Sequence, residues 1–424
     1  MGRTEERLRD AVTALAGTLD AADIPALALG ESSDSRRREW SFGRPARGRR
    51  VLIPVCAAAS VAGIVAALVV AGSMPRPAGH RTRPGRALPA GTTQLRLASR
   101  YDAARSWTIW QVAGTHSSDL AVTAMTAISP ASAWAFGSDN AGTDMRPVAW
   151  RLTRSSWTAV SFPGLPGEQV VAAQASSTAN VWAFTSDNRA LRWNGSSWTV
   201  VAGFPGGDIG SALVISRSDV WVFGQIYQPG QTHSAWHYNG QDWTRVPSAS
   251  QLAQASAVAA DDIWATGWSA VAHWNGTGWA ETSVAALLPA RSMYCSPMVT
   301  DIYAASATDA WAIGYQNCQD TGGLSVLLHY ADGSWRRVAS LGDLDVEAVL
   351  PDGQGGLWLP ANVVQGTDGI MLHYSAGKLT RVQLAGRAGQ IHLWHGASTP
   401  GGTAIFVAGA AGADGTAIVI RHGR

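Results

Sequence analysis

Lysine is almost missing from this chain: Lys378 stands alone against 31 arginines. That imbalance reads as GC-rich coding of the bacterial kind and carries no functional signal. Charge of either sign is sparse, at 15% of 424 residues with a formal net charge of +2. The concentrated basic face that nucleic-acid binding uses is therefore not expected. Cysteine occurs three times, and only Cys295 and Cys318 lie outside an apolar run. Two thiols without a nearby His pair close no tetrahedral zinc site. Strong helix formers are thin through the C-terminal three quarters, which excludes helical repeats. No G-x-S-x-G elbow, H-E-x-x-H helix or Walker loop occurs, so no catalytic residue, metal or cofactor is assigned.

Long hydrophobic runs are also scarce, and the one present is informative. Residues 51–72 (VLIPVCAAASVAGIVAALVVAG) are 22 residues without a charge. At about 1.5 Å per residue they reach about 33 Å, enough to cross a bilayer core of roughly 30 Å. Fifty residues precede the run, too many for the n-region of a cleaved signal peptide. It reads as a signal anchor. Residues 31–50 hold seven arginines and residues 73–92 hold four, so the N-terminus is expected in the cytoplasm and the remainder outside the cytoplasmic membrane. There Cys295 and Cys318 read as one disulfide. It would tie the link 283–297 to the loop after Tyr315.

What is abundant is tryptophan and glycine, 20 and 46 residues, a composition unlike a disordered chain's. The tryptophans recur in a two-part phrase from residue 129 onward. The first part is SPASAWAFG, SSTANVWAF, SRSDVWVFG, AADDIWATG, SATDAWAIG, DGQGGLWLP and TPGGTAIFVAG. Its aromatics are Trp134, Trp182, Trp221, Trp264, Trp311, Trp358 and Phe406, spaced about 45 residues apart. The second part is LRWNGSSWT, WHYNGQDWT, AHWNGTGWA and their variants. Asn-Gly or Asp-Gly between alternating residues signals a tight hairpin. Each unit therefore reads as four antiparallel strands, and the whole as an all-β fold, a seven-bladed β-propeller with six blades as the alternative. The phrase RSWTIW at 105–110 copies a fourth-strand phrase ahead of the first unit. It predicts a ring latched by an N-terminal strand that completes the last blade.

The phrases S-x-x-D-x-W-A-x-G and W-N-G-x-x-W resemble the repeats of bacterial (actinobacterial-type) membrane-anchored propellers, distantly related to the kelch and galactose-oxidase group. The resemblance covers 105–424 and implies a propeller. It lacks the kelch Gly-Gly doublet, and NGSSW only echoes the Asp-box of sialidases.

The domains follow. Residues 1–50 form a cytoplasmic segment whose Leu8, Val12, Leu15 and Leu19 share one face of a helix over about 4–20. Then come the span 51–72, a Pro/Gly/Arg-rich stalk 73–104, and the propeller 105–424. The inner helix, single span and outer domain superficially resemble bacterial anti-sigma regulators, which would give the helix a protein partner.

Each third strand carries a basic residue: Arg151, Arg192, His237, His273, His329, His373 and Arg421. Recurrence in register favours packing or hydrogen bonding between blades over a metal or anion site. Asp219, Asp262, Asp309 and Asn180 precede the Trp at the first turn and are expected to bond nearby backbone amides. Binding is expected on the opposite face, where second–third loops vary. These are 138–147 with Asp139, Asp144 and Arg146; 225–233 with Tyr227 and His233; 316–323 with Asp320; and 363–369 with Asp368. The reading is a membrane-anchored extracytoplasmic binding module for an envelope glycan or exported protein. The alternatives are a transmembrane sensor and an extracellular carbohydrate-active enzyme.

Overall fold

The structure is a computed structural model that describes residues 94–96, 107–111, 121–141, 144–204, 208–225, 234–289, 295–318, 324–363, 369–383, 391–412 and 416–423. The expected segments 1–50 and 51–72, and most of 73–104, lie outside them. Seven antiparallel sheets follow one another along the chain. The first blade is Ala121–Ser129, Ser132–Ala141, Asp144–Thr153 and Ser156–Val160. Blades two to six occupy 170–203, 208–247, 255–283, 295–342 and 344–383. The last takes Ile391–Ser398, Ala404–Ala411 and Thr416–Gly423 from the C-terminus. The ring has seven blades, and the six-blade alternative falls.

Burial explains the two halves of the repeat. A second strand such as Asn180–Thr185 is buried at every position, because blades stack face to face and cover both its sides. An outer strand such as Trp198–Gly203 keeps one buried residue at its start and is otherwise largely exposed. Seven hydrophobic clusters fill the seven joints between neighbouring blades, the joint from the seventh blade back to the first included. Second-strand tryptophans pack on the third- and fourth-strand aromatics of the next blade: Trp134 on Trp193 and Trp198, Trp221 on Trp274 and Trp279, Trp264 on Tyr330 and Trp335. Their centroids lie 4.8–5.9 Å apart, the range in which ring pairs add about 0.5–1.5 kcal/mol beyond burial.

The latch forms as the phrase RSWTIW predicts. Thr108–Gln111 pairs with the last strand of the chain, Thr108 opposite Arg421 and Gln111 opposite Ile418. Trp107 takes the place of a fourth-strand Trp, with its ring 5.4 Å from Trp358 of the sixth blade and stacked at 4.3 Å on His422. Trp110 reaches the other way, 6.3 Å from Trp157 of the first blade. One short strand thus closes two joints. Gln94–Arg96 adds a fifth strand outside it, so the expected stalk gives three residues to the sheet.

Two expectations about recurring side chains are corrected. The basic residue of each third strand lies directly opposite the second-strand aromatic of its own blade, as in Trp221–His237, Trp311–His329 and Phe406–Arg421. The imidazoles stack on the indoles at 3.7–4.2 Å, and Nε2 meets the carboxylate that begins the second hairpin strand or its turn. The pairs are His237–Asp219, His273–Asp262, His329–Asp309 and His373–Asp352, at 2.7–3.0 Å. Trp221 Nε1 donates to the same Asp219 oxygen at 3.0 Å. The module therefore sits within a blade. Where the acid is replaced by Asn180, Ser132 or Ala404, the partner is Arg192, Arg151 or Arg421. There a guanidinium lies over the blade's indole, Arg151 at 5.7 Å from Trp134 and Arg192 at 5.5 Å from Trp182, and Arg192 Nε donates to Asn180 Oδ1 at 3.0 Å. Arg421 alone of the set donates to a neighbouring blade's backbone, at Pro130 O, 2.8 Å away.

The backbone amide of the first turn is instead held by the Ser of S-x-x-D: Ser216 Oγ accepts from Ser218 N at 3.1 Å, and Ser306 Oγ from Thr308 N at 3.2 Å. The aspartate is left for the histidine. In the second hairpin, Asn239 flanks the turn and its Oδ1 caps the amides of Gln241 and Asp242. Gly240 takes φ +99°, and a Cβ there would stand 2.7 Å from Ser218. The two turns of a blade therefore press together on one face.

Candidate functional site

With the turns on one side, the second–third loops and the links between blades share the other, called here the loop face. Of the residues expected there, Tyr227, His233, Asp320 and Asp368 lie outside the described residues. Asp139, Asp144 and Arg146 do not form a loop: the strands of the first blade run on until Asp139 faces Arg146 and Ala141 faces Asp144. The variable segment 138–147 is a hairpin arm, with Arg146 exposed at its flank. Backbone register also sets Cys295 directly opposite Cys318 in the first hairpin of the fifth blade.

The loop face carries a group the sequence reading did not single out. Glu168, in the link to the second blade, is fully buried and makes a two-pronged ion pair with Arg189, Nε to Oε1 at 2.7 Å and a second contact to Oε2. Burial by itself would raise its pKa, but hydrogen bonds from Arg189, Thr185 and the Leu165 amide hold it below the ordinary value. The pair pins the link 163–168 to the rim.

The larger feature is the channel on the ring axis, about 610 Å³, walled by the first strand of every blade. Most of its wall is Ala, Gly, Ser and Val. Register shifts in the first hairpins, between Val122 and Ala124, Val170 and Ala172, Ile209 and Ser211, Val299 and Asp301, and Leu393 and His395, insert one extra residue each. Such bulges re-aim the side chains that follow. The residue after the bulge faces the position two beyond the blade's key aromatic, as Asp301 faces Ile313 and His395 faces Ala408. In the fourth and sixth blades Gln254 and Glu347 hold that place, bonded through their backbones to Thr266 and Pro360. One tier of the channel is therefore Ala124, Ala172, Ser211, Gln254, Asp301, Glu347 and His395. It passes from small and apolar to titratable around the ring.

Several members tie their blade to the next. Ser211 Oγ donates to Ala253 O, and Asp301 Oδ2 accepts from Val349 N at 2.7 Å. Glu347 Oε1 accepts from Asn362 Nδ2 at 2.9 Å, and Asn362 bonds both backbone groups of Leu393 in the seventh blade. Ser211 and Asn362 are buried, while Asp301 and Glu347 are partly exposed and line the channel. Burial pushes the Asp301 carboxyl from 3.8 up to about 7. Burial first, and then the neighbouring charge of Asp345, holds Glu347 well above its ordinary value. Asp345, two residues nearer the loop face, is raised by burial. Tyr315 is raised by burial and by the Asp345 and Glu347 charges. His395 is driven down to about 4, and its Nε2 is shut from solvent with no hydrogen-bond partner among the described residues. No Arg or Lys is among the described residues that line the channel. Among the described residues no three His, Cys, Asp or Glu stand where they could hold a metal ion.

No family model and no curated protein matches this sequence. Solved structures do match its shape. The structure of YCF48 bound to a D1 peptide is similar at a TM-score of 0.52 and 12% identity, over 78% of this chain and 99% of that one. The extracellular domain of the putative hybrid two-component system BT4673 from B. thetaiotaomicron gives 0.51 and 12%, over 77% of this chain but 39% of its own. The WD40 propeller of Doa1 gives 0.50 and 12%, over 79% and 98%. The shared property is the fold. This chain is a β-propeller.

Proposed function

We propose that this protein is a membrane-anchored binding module that holds its propeller outside the cytoplasmic membrane and receives a peptide segment of an exported protein at the loop-face mouth of the channel. The observation that carries the reading is the tier: a rigid ring whose channel wall is small and apolar on two blades and acidic on the fifth and sixth, with no cation among the described lining residues. An extended segment with a cationic side chain complements that wall in shape and charge. Function lives in such a site and not in the fold, but a propeller solved with a peptide bound offers a precedent for this use. The anchor rests on residues 51–72 and their flanking arginines; among the described residues no helix is long and apolar enough to cross a membrane. Resemblance to an actinobacterial-type, kelch-like lineage stays part of this proposal.

The test is thermal unfolding of the full chain in detergent micelles against Arg-containing peptides, acidic peptides and envelope glycans. A ligand at 100 times its Kd adds about 2.7 kcal/mol. Stabilisation by the Arg peptides, lost in E347Q, is the expected result. Stabilisation by a glycan alone would replace the peptide with a sugar. A second reading, a transmembrane sensor whose helix at about 4–20 docks a cytoplasmic protein, draws on the sensor protein among the similar folds. Deleting residues 1–30 without effect on transcription or partner recovery would remove it.

A further inference from the structure

Two tryptophans among the described residues belong to none of the seven joints between blades: Trp268, exposed on a loop-face turn of the fourth blade, and Trp394, in the first strand of the seventh. Trp394 is half-buried and lines the channel. It is the extra residue of its blade's bulge, set between Leu393 and His395. In the first six blades the residue just before the tier is Gly, Ala, Thr or Val. Only the seventh blade puts an aromatic ring there, and that ring meets His392 edge-on at 5.8 Å.

The acids of the sixth blade stand beside this ring. Asn362 holds Leu393, the residue before Trp394, through both backbone groups: Nδ2 donates to Leu393 O at 2.7 Å, and Oδ1 accepts from Leu393 N at 2.9 Å. The same Nδ2 donates to Glu347 Oε1 at 2.9 Å. One buried amide therefore fixes both the strand that presents the indole and the neighbouring carboxylate. Glu347 Oε2 and both oxygens of Asp345 make no hydrogen bond among the described residues. Asp345 and Glu347 lie two apart on one strand direction, so both face the channel, about 6.6 Å apart along the backbone at ~3.3 Å per residue. Tyr315 lines the same quarter and feels both charges. His395, driven down to about 4 by burial, stays neutral and adds no repelling charge.

An indole face attracts a cation through the ring quadrupole. A guanidinium is planar and weakly hydrated, so it can lie flat on the ring while N–H groups on separate nitrogens reach two carboxylates. An ammonium is a compact, strongly hydrated point charge and gives up more water for fewer directed contacts. We propose that Trp394 makes the channel selective for arginine: its indole stacks on the guanidinium of the bound segment while Asp345 and Glu347 accept from the edges. This rests on the peptide reading above and adds which side chain is read, and by which residue.

The test is calorimetric titration of the full chain in micelles with a short Gly/Ser peptide carrying one central arginine, and with its lysine twin. The natural chain is expected to bind the arginine peptide at least fivefold more tightly. In W394L that peptide should weaken at least fivefold and the preference should vanish, whereas W394F, which keeps a ring face, should retain part of it. Trp394 lies outside every joint, so W394L is expected to fold, and its unfolding midpoint verifies this. Equal affinity of the two peptides for the natural chain would overturn the proposal, as would a preference that survives in W394L because both peptides weaken alike or not at all. Either result leaves the peptide reading standing. Binding of neither peptide to the natural chain would overturn that reading and this proposal together.

Discussion

Replacing Asp301 by Asn is the sharpest probe of the channel, because it keeps the oxygen that accepts from Val349 N and removes only the titration. The folded carboxyl sits at about 7, against 3.8 ordinarily. Between those values the folded chain binds a proton that the unfolded chain has released, so stability falls as pH rises through this window. At about 1.4 kcal/mol per unit the whole window is worth about 4 kcal/mol, of which about 2–3 kcal/mol falls between pH 5 and pH 8. Asp345 and Glu347 are shifted in the same direction. His395, lowered from 6.5 to about 4, works the opposite way: its contribution is present above 6.5 and lost as pH falls towards 4. The profile of the natural chain is thus a sum of opposing parts, and only the difference between the two chains isolates Asp301. Thermal unfolding of both, followed by tryptophan fluorescence at half-unit steps from pH 5 to 8, supplies that difference. At roughly 2 °C per kcal/mol for a domain of this size, the Tm of D301N minus that of the natural chain is expected to rise by about 5 °C from pH 5 to pH 8. A difference that stays flat across the range would refute the desolvated-carboxylate account.

Trp107→Ala removes a buried ring from the latch and should destabilise the propeller by about 3–5 kcal/mol; a loss under about 1 kcal/mol in denaturant unfolding would mean the ring closes without it. Glu168→Gln leaves Arg189 facing a neutral partner across a buried contact, at a cost of about 3–5 kcal/mol, read in the same assay. The register of Cys295 opposite Cys318 predicts one intramolecular disulfide in the oxidised protein, with about 3 kcal/mol lost in C295S by loop closure over 24 residues; mass mapping that finds both thiols free removes it. Asp219→Ala strips His237 and Trp221 of their shared acceptor and should cost about 1–3 kcal/mol, whereas the same change at the exposed Asp242 should cost almost nothing.

The loop-face candidates show where reading by variability stops short. Asp139, Asp144 and Arg146 stood out as a polar insertion, yet their backbone continues the ladder as a hairpin arm. The acids of the channel were hidden for the opposite reason. Asp301 and Glu347 hold one recurring place, ten or eleven residues before the key aromatic of each blade, but six different residue types occupy that place in the seven blades, from Ala124 to His395. A search for sameness passes over it.

The linear pattern alone was enough for the number of blades, the direction of the strands and the latch. Each depends on local turn chemistry and on a Trp that must be buried once per unit, and both repeat visibly along the chain. Only the closed ring decides that seven residues of six types meet in one tier, that His237 answers Asp219 within its own blade, and that a carboxyl such as Asp301 is desolvated. Those facts depend on which strands lie innermost and on how each carboxyl is buried, and both are set only when every blade has packed against its neighbours.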